Sequence, residues 1–222
     1  MHRLTVPLAI LWASCALPAL SATPAAEAHK AAIVLDTHFD TPANFHRPGW
    51  DIMDRHSVDA DGSQVDYPRM VEGGVDGGFF AIFTPQGART PEGDAKARDA
   101  ALLRAVEIHQ MVAKHGAKFA LATRAEEAAP IVAAGKKVVF ISMENSQPVE
   151  ADLTLMATFY TLGVRMMGPI HFMNNDLGDS STDPKGKEWN GLSAKGKPSS
   201  PRPIDWALCW TPVMPRTRCW TR

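Results

Sequence analysis

Short apolar runs that stop abruptly in polar residues alternate with stretches of helical spacing from residue 31 to about 171. Ala31-Ala32-Ile33-Val34-Leu35 runs into Asp36-Thr37-His38-Phe39-Asp40, and Gly77-Gly78-Phe79-Phe80-Ala81-Ile82-Phe83 is stopped by Thr84-Pro85. Residues 118–122 and 137–143 are two more such runs, the second ending at Glu144. Continuous apolar runs of this length, bounded by polar residues, predict strands buried on both faces. Over 94–116, Ala101, Leu102, Ala105, Ile108, Met111 and Val112 recur at helical spacing and Gly116 closes the segment. Thr123 with Glu126 three residues later predicts a capping box, and 150–162 reads as a further helix ending at Gly163. Residues 164–170 lead to His171 as a fifth strand. Strictly alternating strands and helices predict an α/β fold on a parallel sheet, open or closed into a (β/α) barrel.

The two ends of the chain break this pattern. Met1-His2-Arg3 is a short positive start, Leu4 to Leu20 carries no charge, and Ala19-Leu20-Ser21 puts small residues where a signal peptidase reads. The apolar stretch is short for a membrane span and contains Pro7 and Pro18. The expectation is a signal peptide over 1–21, an Ala/Pro-rich spacer over 22–30, and an exported, periplasmic or extracellular protein with no integral span after cleavage. Residues 198–222 hold five Pro, three Trp and four Arg with neither helical nor strand period.

Composition narrows the chemistry. With 222 residues, 45% of them hydrophobic, the chain can bury a sizeable core. Its 23 Lys+Arg balance 24 Asp+Glu, which excludes a strongly basic nucleic-acid binder or a polybasic membrane anchor. The three cysteines are Cys15, Cys209 and Cys219, so neither a disulfide framework nor a thiolate zinc site can hold the main body together. A metal there must be bound by His, Asp and Glu.

Such residues sit at the predicted strand ends: His38 and Asp40 on the first, Glu144 on the fourth, His171 on the fifth. In a barrel these ends converge on one face. His38-x-Asp40 in extended chain points both side chains the same way, about 6–7 Å apart at Cα, suited to two ligands of one metal. A glutamate from another strand can bridge that metal to a second, and oxygen and nitrogen donors suit zinc or manganese hydrolases. Each residue also has a plain structural reading. A strand-end histidine is often just hydrogen-bonded in a loop, Asp36, Asp40 and Asn44 can cap a helix, and Glu144-Asn145 can be a solvated turn. All four at strand ends favour the site.

Four ordered stretches resemble the membrane (renal) dipeptidases, the M19 metallopeptidases. Leu35-Asp36-Thr37-His38-Phe39-Asp40-Thr41-Pro42 is similar to their opening zinc motif, and residues 65–80 to their second-strand region. Ile141-Ser142-Met143-Glu144-Asn145 is similar to the segment with their bridging glutamate, and residues 162–176 to the segment with their substrate-binding histidine. The resemblance covers about 35 to 197. It implies a TIM-like barrel with two zinc ions that cleaves small dipeptides by a metal-bound hydroxide. Carried over, His38 and Asp40 bind one zinc, Glu144 bridges both, and His171 steadies the oxyanion of the tetrahedral intermediate. Two alternatives stand beside it: another metal-dependent barrel hydrolase of the amidohydrolase kind, and a non-catalytic remnant that keeps His171 without a metal pair. Glu144, where many amidohydrolases carry a lysine or histidine bridge, favours the dipeptidase.

Where the family continues after Lys197, this chain turns into its Pro/Trp/Arg-rich tail. Back-translation from the third base of the Asp205 codon yields Leu-Gly-x-x-Leu-Asp-x-x-x-Ala-x-x-x-x-Leu-Asp, with the third open position after the first Asp restricted to His, Asn, Asp or Tyr. That is the pattern of the family's next strand, whose histidine binds the second zinc. The expectation is therefore a frame change near residue 198 and a barrel truncated to its N-terminal half, with exposed strand edges and at most one zinc well held. His46, His56, His109 and His115 offer no obvious substitute ligands; the last two fall on the predicted helix.

Overall fold

The structure, a computed structural model, describes residues 25–197 and the backbone of Cys209–Trp210. The expected signal peptide and nearly all of the tail lie outside the described residues. Part of the expected spacer is ordered: Ala25–Ala31 forms a helix, α1, that buries none of its residues, and His29 Nε2 lies 3.0 Å from the Gly73 carbonyl oxygen.

Six parallel strands form one sheet: β1 (Leu35–Phe39), β2 (Gly77–Phe83), β3 (Phe119–Leu121), β4 (Lys137–Glu144), β5 (Val164–Gly168) and β6 (Cys209–Trp210). The main path runs β1-β2-β4-β5-β6. β2 and β4 are buried almost throughout, as their mainly apolar runs predict, and pair in register from Gly77↔Val138 to Phe83↔Glu144. β2 opens on two glycines because there is no room for side chains there. A Cβ on Gly77 would run into the Val138 carbonyl oxygen, and one on Gly78 into that of Asp36.

The helices are α2 (Val58–Asp61), α3 (Tyr67–Glu72), α4 (Pro91–Lys114), α5 (Ala128–Ala133), α6 (Gln147–Glu150) and α7 (Leu155–Thr161). α4 is the long crossover between β2 and β3. Its buried stripe is Ala97, Ala101, Ala105, Ile108 and Met111. It starts three residues before the expected position because the Thr90 side chain accepts from the Gly93 N–H and Pro91 supplies a pre-set φ at the first turn. The main core joins this stripe to Phe39, Phe80, Ile82, Val139, Ile141, Met143, Phe159 and Met167.

Several expectations are corrected. The first strand starts at Leu35 rather than Ala31 and ends at Phe39, one residue before Asp40, because Val34 is tied to Asp76 instead of the ladder: its N–H donates to Asp76 Oδ2 and its carbonyl accepts from the Asp76 N–H. The third strand lies off the main path and pairs only with β4. With three residues it covers only Lys137–Val139, and β5 takes the rest of the same β4 edge. The capping glutamate is Glu127, not Glu126: Glu127 Oε2 accepts from the backbone N–H groups of Thr123 (2.7 Å) and Arg124 (3.1 Å). The expected helix over 150–162 is two, because Asp152 Oδ1 accepts from both the N–H (2.9 Å) and hydroxyl (2.6 Å) of Thr154 and turns the chain between α6 and α7. The tail, expected to have no strand, contributes β6 alongside Met166–Met167. The outer edge of β1 pairs with nothing among the described residues.

Candidate metal centre

β1 and β4 are both neighbours of β2, which brings the C-terminal end of β4 close to the residues at and just beyond the end of β1. His38 Nε2 lies 3.2 Å from Asp40 Oδ1 and 3.1 Å from Glu144 Oε2. The ligand atoms of these three residues all fall within 4.8 Å of one another, and among the described residues they are the group able to hold a cation. One imidazole nitrogen with two carboxylates and no sulfur fits zinc chemically. The two carboxylates, Asp40 first, hold the His38 proton tightly enough to push its pKa up to about 10. The His38 hydrogen bond holds Asp40 below the usual carboxylate range. A cation taken up here displaces that proton.

The other Glu144 oxygen reaches further. Oε1 lies 3.1 Å from His171 Nε2, so one carboxylate touches both histidines. His171 sits three residues past the end of β5, since Pro169 removes a ladder donor, rather than at the strand end itself. Its ring lies between the edge of Phe83 (centroids 5.1 Å apart) and Phe172 (3.8 Å), and its carbonyl accepts from the Ser180 hydroxyl at 2.5 Å. Thus all four predicted site residues come together, in the order Asp40, His38, Glu144, His171.

Three other histidines are engaged elsewhere. His56 lies 2.7 Å from Asp61 Oδ2 and stacks on Trp50, His109 Nε2 donates to the Leu162 carbonyl oxygen at 2.8 Å, and His115 lies 3.0 Å from Asp51 Oδ1. Asn145 is not the solvated turn considered from sequence. It is fully buried at φ 63°, and its Nδ2 donates to the Thr84 carbonyl at 2.8 Å. Sequence reasoning also missed Glu150, which is 1% exposed. Its Oε1 accepts from the Asp176 N–H at 3.2 Å, while Oε2 has no partner. Burial first, then Asp176 and Asp94, push its pKa up to about 7. A cleft of about 770 Å³ lined by Gln86, Arg89, Met173, Lys185 and Glu188 includes none of the four residues of the cluster.

The profile of the membrane dipeptidase family (Peptidase family M19) matches residues 23–199. The chain belongs to that family. The partial barrel described above is accordingly one portion of a TIM-like (β/α) barrel, and the amidohydrolase alternative gives way to the dipeptidase lineage. Among solved structures, the probable dipeptidase PvdM from Pseudomonas aeruginosa is 27% identical, with a TM-score of 0.64 over 77% of this chain and 44% of its own. The dipeptidase AC, a metallopeptidase of family M19, is also 27% identical, with a TM-score of 0.60 over 74% of this chain and 52% of its own. The chain therefore spans about half the length of these M19 structures. An amidohydrolase from Pseudomonas aeruginosa shares the fold alone, at 14% identity and a TM-score of 0.54 over 77% of this chain and 42% of its own. No curated protein matches the chain. No helix among the described residues is long and apolar enough to cross a membrane.

Proposed function

We propose that this protein is an exported zinc dipeptidase by descent, represented by the N-terminal half of its barrel. The observation that carries the reading is Glu144, with one carboxylate oxygen on His38 and the other on His171. His38, Asp40 and Glu144 would hold one zinc, and Glu144 has the second oxygen that a bridging ligand needs. Zinc bound there supplies a Lewis acid and lowers the pKa of water to about 7. His171 Nε2, its ring fixed by Phe83 and Phe172, is placed to donate to the developing oxyanion of a peptide carbonyl. Small dipeptides are the proposed substrate class. The signal peptide over 1–21 and the periplasmic or extracellular address belong to the same proposal, as does the frame change in the tail.

Three ligands serve one metal, and the described residues provide no second cluster. The 222-residue chain should therefore bind at most one zinc well and hydrolyse dipeptides poorly, a metal-binding remnant rather than a full catalyst. Zinc stoichiometry and hydrolysis of a simple dipeptide test this together. One zinc with weak turnover supports it. Two tightly held zinc ions, or turnover within about tenfold (about 1.4 kcal/mol in barrier) of a frame-restored protein, would overturn the remnant reading. A chain that binds no zinc would overturn the site.

A further inference from the structure

Glu144 ends β4, but His171 lies in irregular chain beyond β5. Something other than a strand ladder must keep the two side chains 3.1 Å apart. We infer that Asn145 and Asn175 are the positioning residues for His171, a buried amide pair that fastens the His171-bearing segment to the end of β4; this rests on the reading of Glu144 and His171 as a dipeptide site.

Both side chains belong to fully buried residues. Asn175 Nδ2 donates to Asn145 Oδ1 at 3.2 Å and to the Pro169 carbonyl at 2.7 Å. Its Oδ1 accepts from the N–H groups of Leu177 (2.9 Å) and Gly178 (3.2 Å). Two N–H donors facing the oxygen and a carbonyl facing the nitrogen leave one sensible orientation of the amide. Every donor and acceptor of Asn175 is used. Asn145 in turn donates to the Thr84 carbonyl at 2.8 Å. The ends of β2, β4 and β5 are thus joined through two side chains, with His171 two residues from Pro169 and Glu144 adjacent to Asn145.

The backbone supports the same assignment. Asn145 is one of two non-glycine residues at positive φ among the described residues, at 63°. Asparagine tolerates this conformation, whereas β-branched and bulky residues do not. Glycine would keep the turn and lose both amide bonds. A fully satisfied buried network of this kind rigidifies its surroundings, and a broken one leaves polar groups stranded. No hydrogen bond of the pair reaches the side chain of a metal ligand: His38 and Asp40 come from β1 and the turn after it, and Glu144, though next to Asn145, is placed by the β4 ladder. The clamp therefore governs His171 and the dipeptide it contacts, not the cation.

The test uses the whole chain and two probes, zinc alone and then a phosphinate analogue of Ala-Ala on the zinc-loaded protein, both by calorimetry. Asn145→Gly preserves the positive-φ turn. Asn175→Asp preserves the acceptor toward Leu177 and Gly178 while removing the donor. Each should weaken the analogue about tenfold while zinc affinity stays within about threefold, and the double variant should lose little more than the worse single, since the two act as one unit. Circular dichroism checks that each variant folds; should Asn175→Asp fail to fold, Asn145→Gly decides alone. Unchanged analogue affinity overturns the inference, as does a parallel loss of zinc affinity, which marks a general structural role. A wild-type chain that binds zinc but not the analogue removes the dipeptide site, and the inference with it.

Discussion

Glu144 Oε2 lies 3.1 Å from His38 Nε2, joining the end of β4 to the penultimate residue of β1 across the intervening β2. The contact links residues 106 positions apart, and it exists only when both strands are in register with β2. Metal affinity in this protein is therefore a report on the sheet as much as on the ligands.

Glu144→Gln should lower zinc affinity by at least about 100-fold, since even residues that merely support a ligand are worth 10–100-fold. A neutral amide offers one oxygen and no charge. His109→Ala, which removes a contact with the Leu162 carbonyl at the end of α7, should leave zinc affinity unchanged and cost about 1 kcal/mol of stability. Calorimetric titration of both variants checks this; equal zinc affinities would remove Glu144 from the site.

Glu150 sets a pH dependence. Its folded pKa is raised from 4.5 to about 7, so the folded state holds the proton more tightly than the unfolded chain. Its contribution to stability is complete below about pH 4.5 and is lost as the pH rises through 7. Glu150→Gln keeps an acceptor for the Asp176 N–H and has no charge to bury. Relative to wild type, it should gain roughly 2–3 kcal/mol between pH 5 and pH 8. Urea denaturation at those two pH values measures the difference, and a pH-independent difference would refute it.

Gly77→Ala should destabilise severely, by more than about 3 kcal/mol, because the new methyl meets backbone of β4 that cannot move without breaking the ladder. Gly62→Ala is the informative contrast. Nothing lies within 4 Å of its Cβ position, so only the left-handed backbone, at φ 77°, resists, at about 1–2 kcal/mol. Thermal unfolding that ranks the two the other way would contradict the packing described for β2.

The coding sequence across codons 197–206 should contain a one-base change of frame. Restoring the frame should supply the next family strand and raise zinc stoichiometry from one to two. Sequencing the gene decides the first point. An intact frame, with homologues sharing the Trp-rich tail, would end the proposal.

The parts legible in sequence are those whose signals are local. β2 and β4 announce themselves because both faces are buried and Ser142 alone breaks their apolar interiors, and α4 because its alanines and isoleucine keep helical spacing. That His38, Asp40 and Glu144 lie close together was readable from their strand-end positions. The rest depends on distant partners. The shift of β1 follows from Asp76, forty-two residues beyond Val34. The displacement of β3 depends on how much of the β4 edge β5 occupies. Nothing around Glu150 or Asn145 says that either is buried, since the groups that enclose them, Asp94 and Asp176 for one and Thr84 and Asn175 for the other, lie far along the chain.

β4 is gripped differently on its two edges. β2 runs along one edge for seven residues, while the other is divided between β3 at the entrance and β5 at the exit. A slip of one residue along β2 would have to be matched by two separate strands at once, and it would swing Glu144 to the opposite face. The divided edge works like a vernier, in which two short scales read against one long one leave a single alignment. Positional accuracy at the cation site is in this way set up some 20 Å upstream, about the length of a strand of six residues, at the base of the sheet.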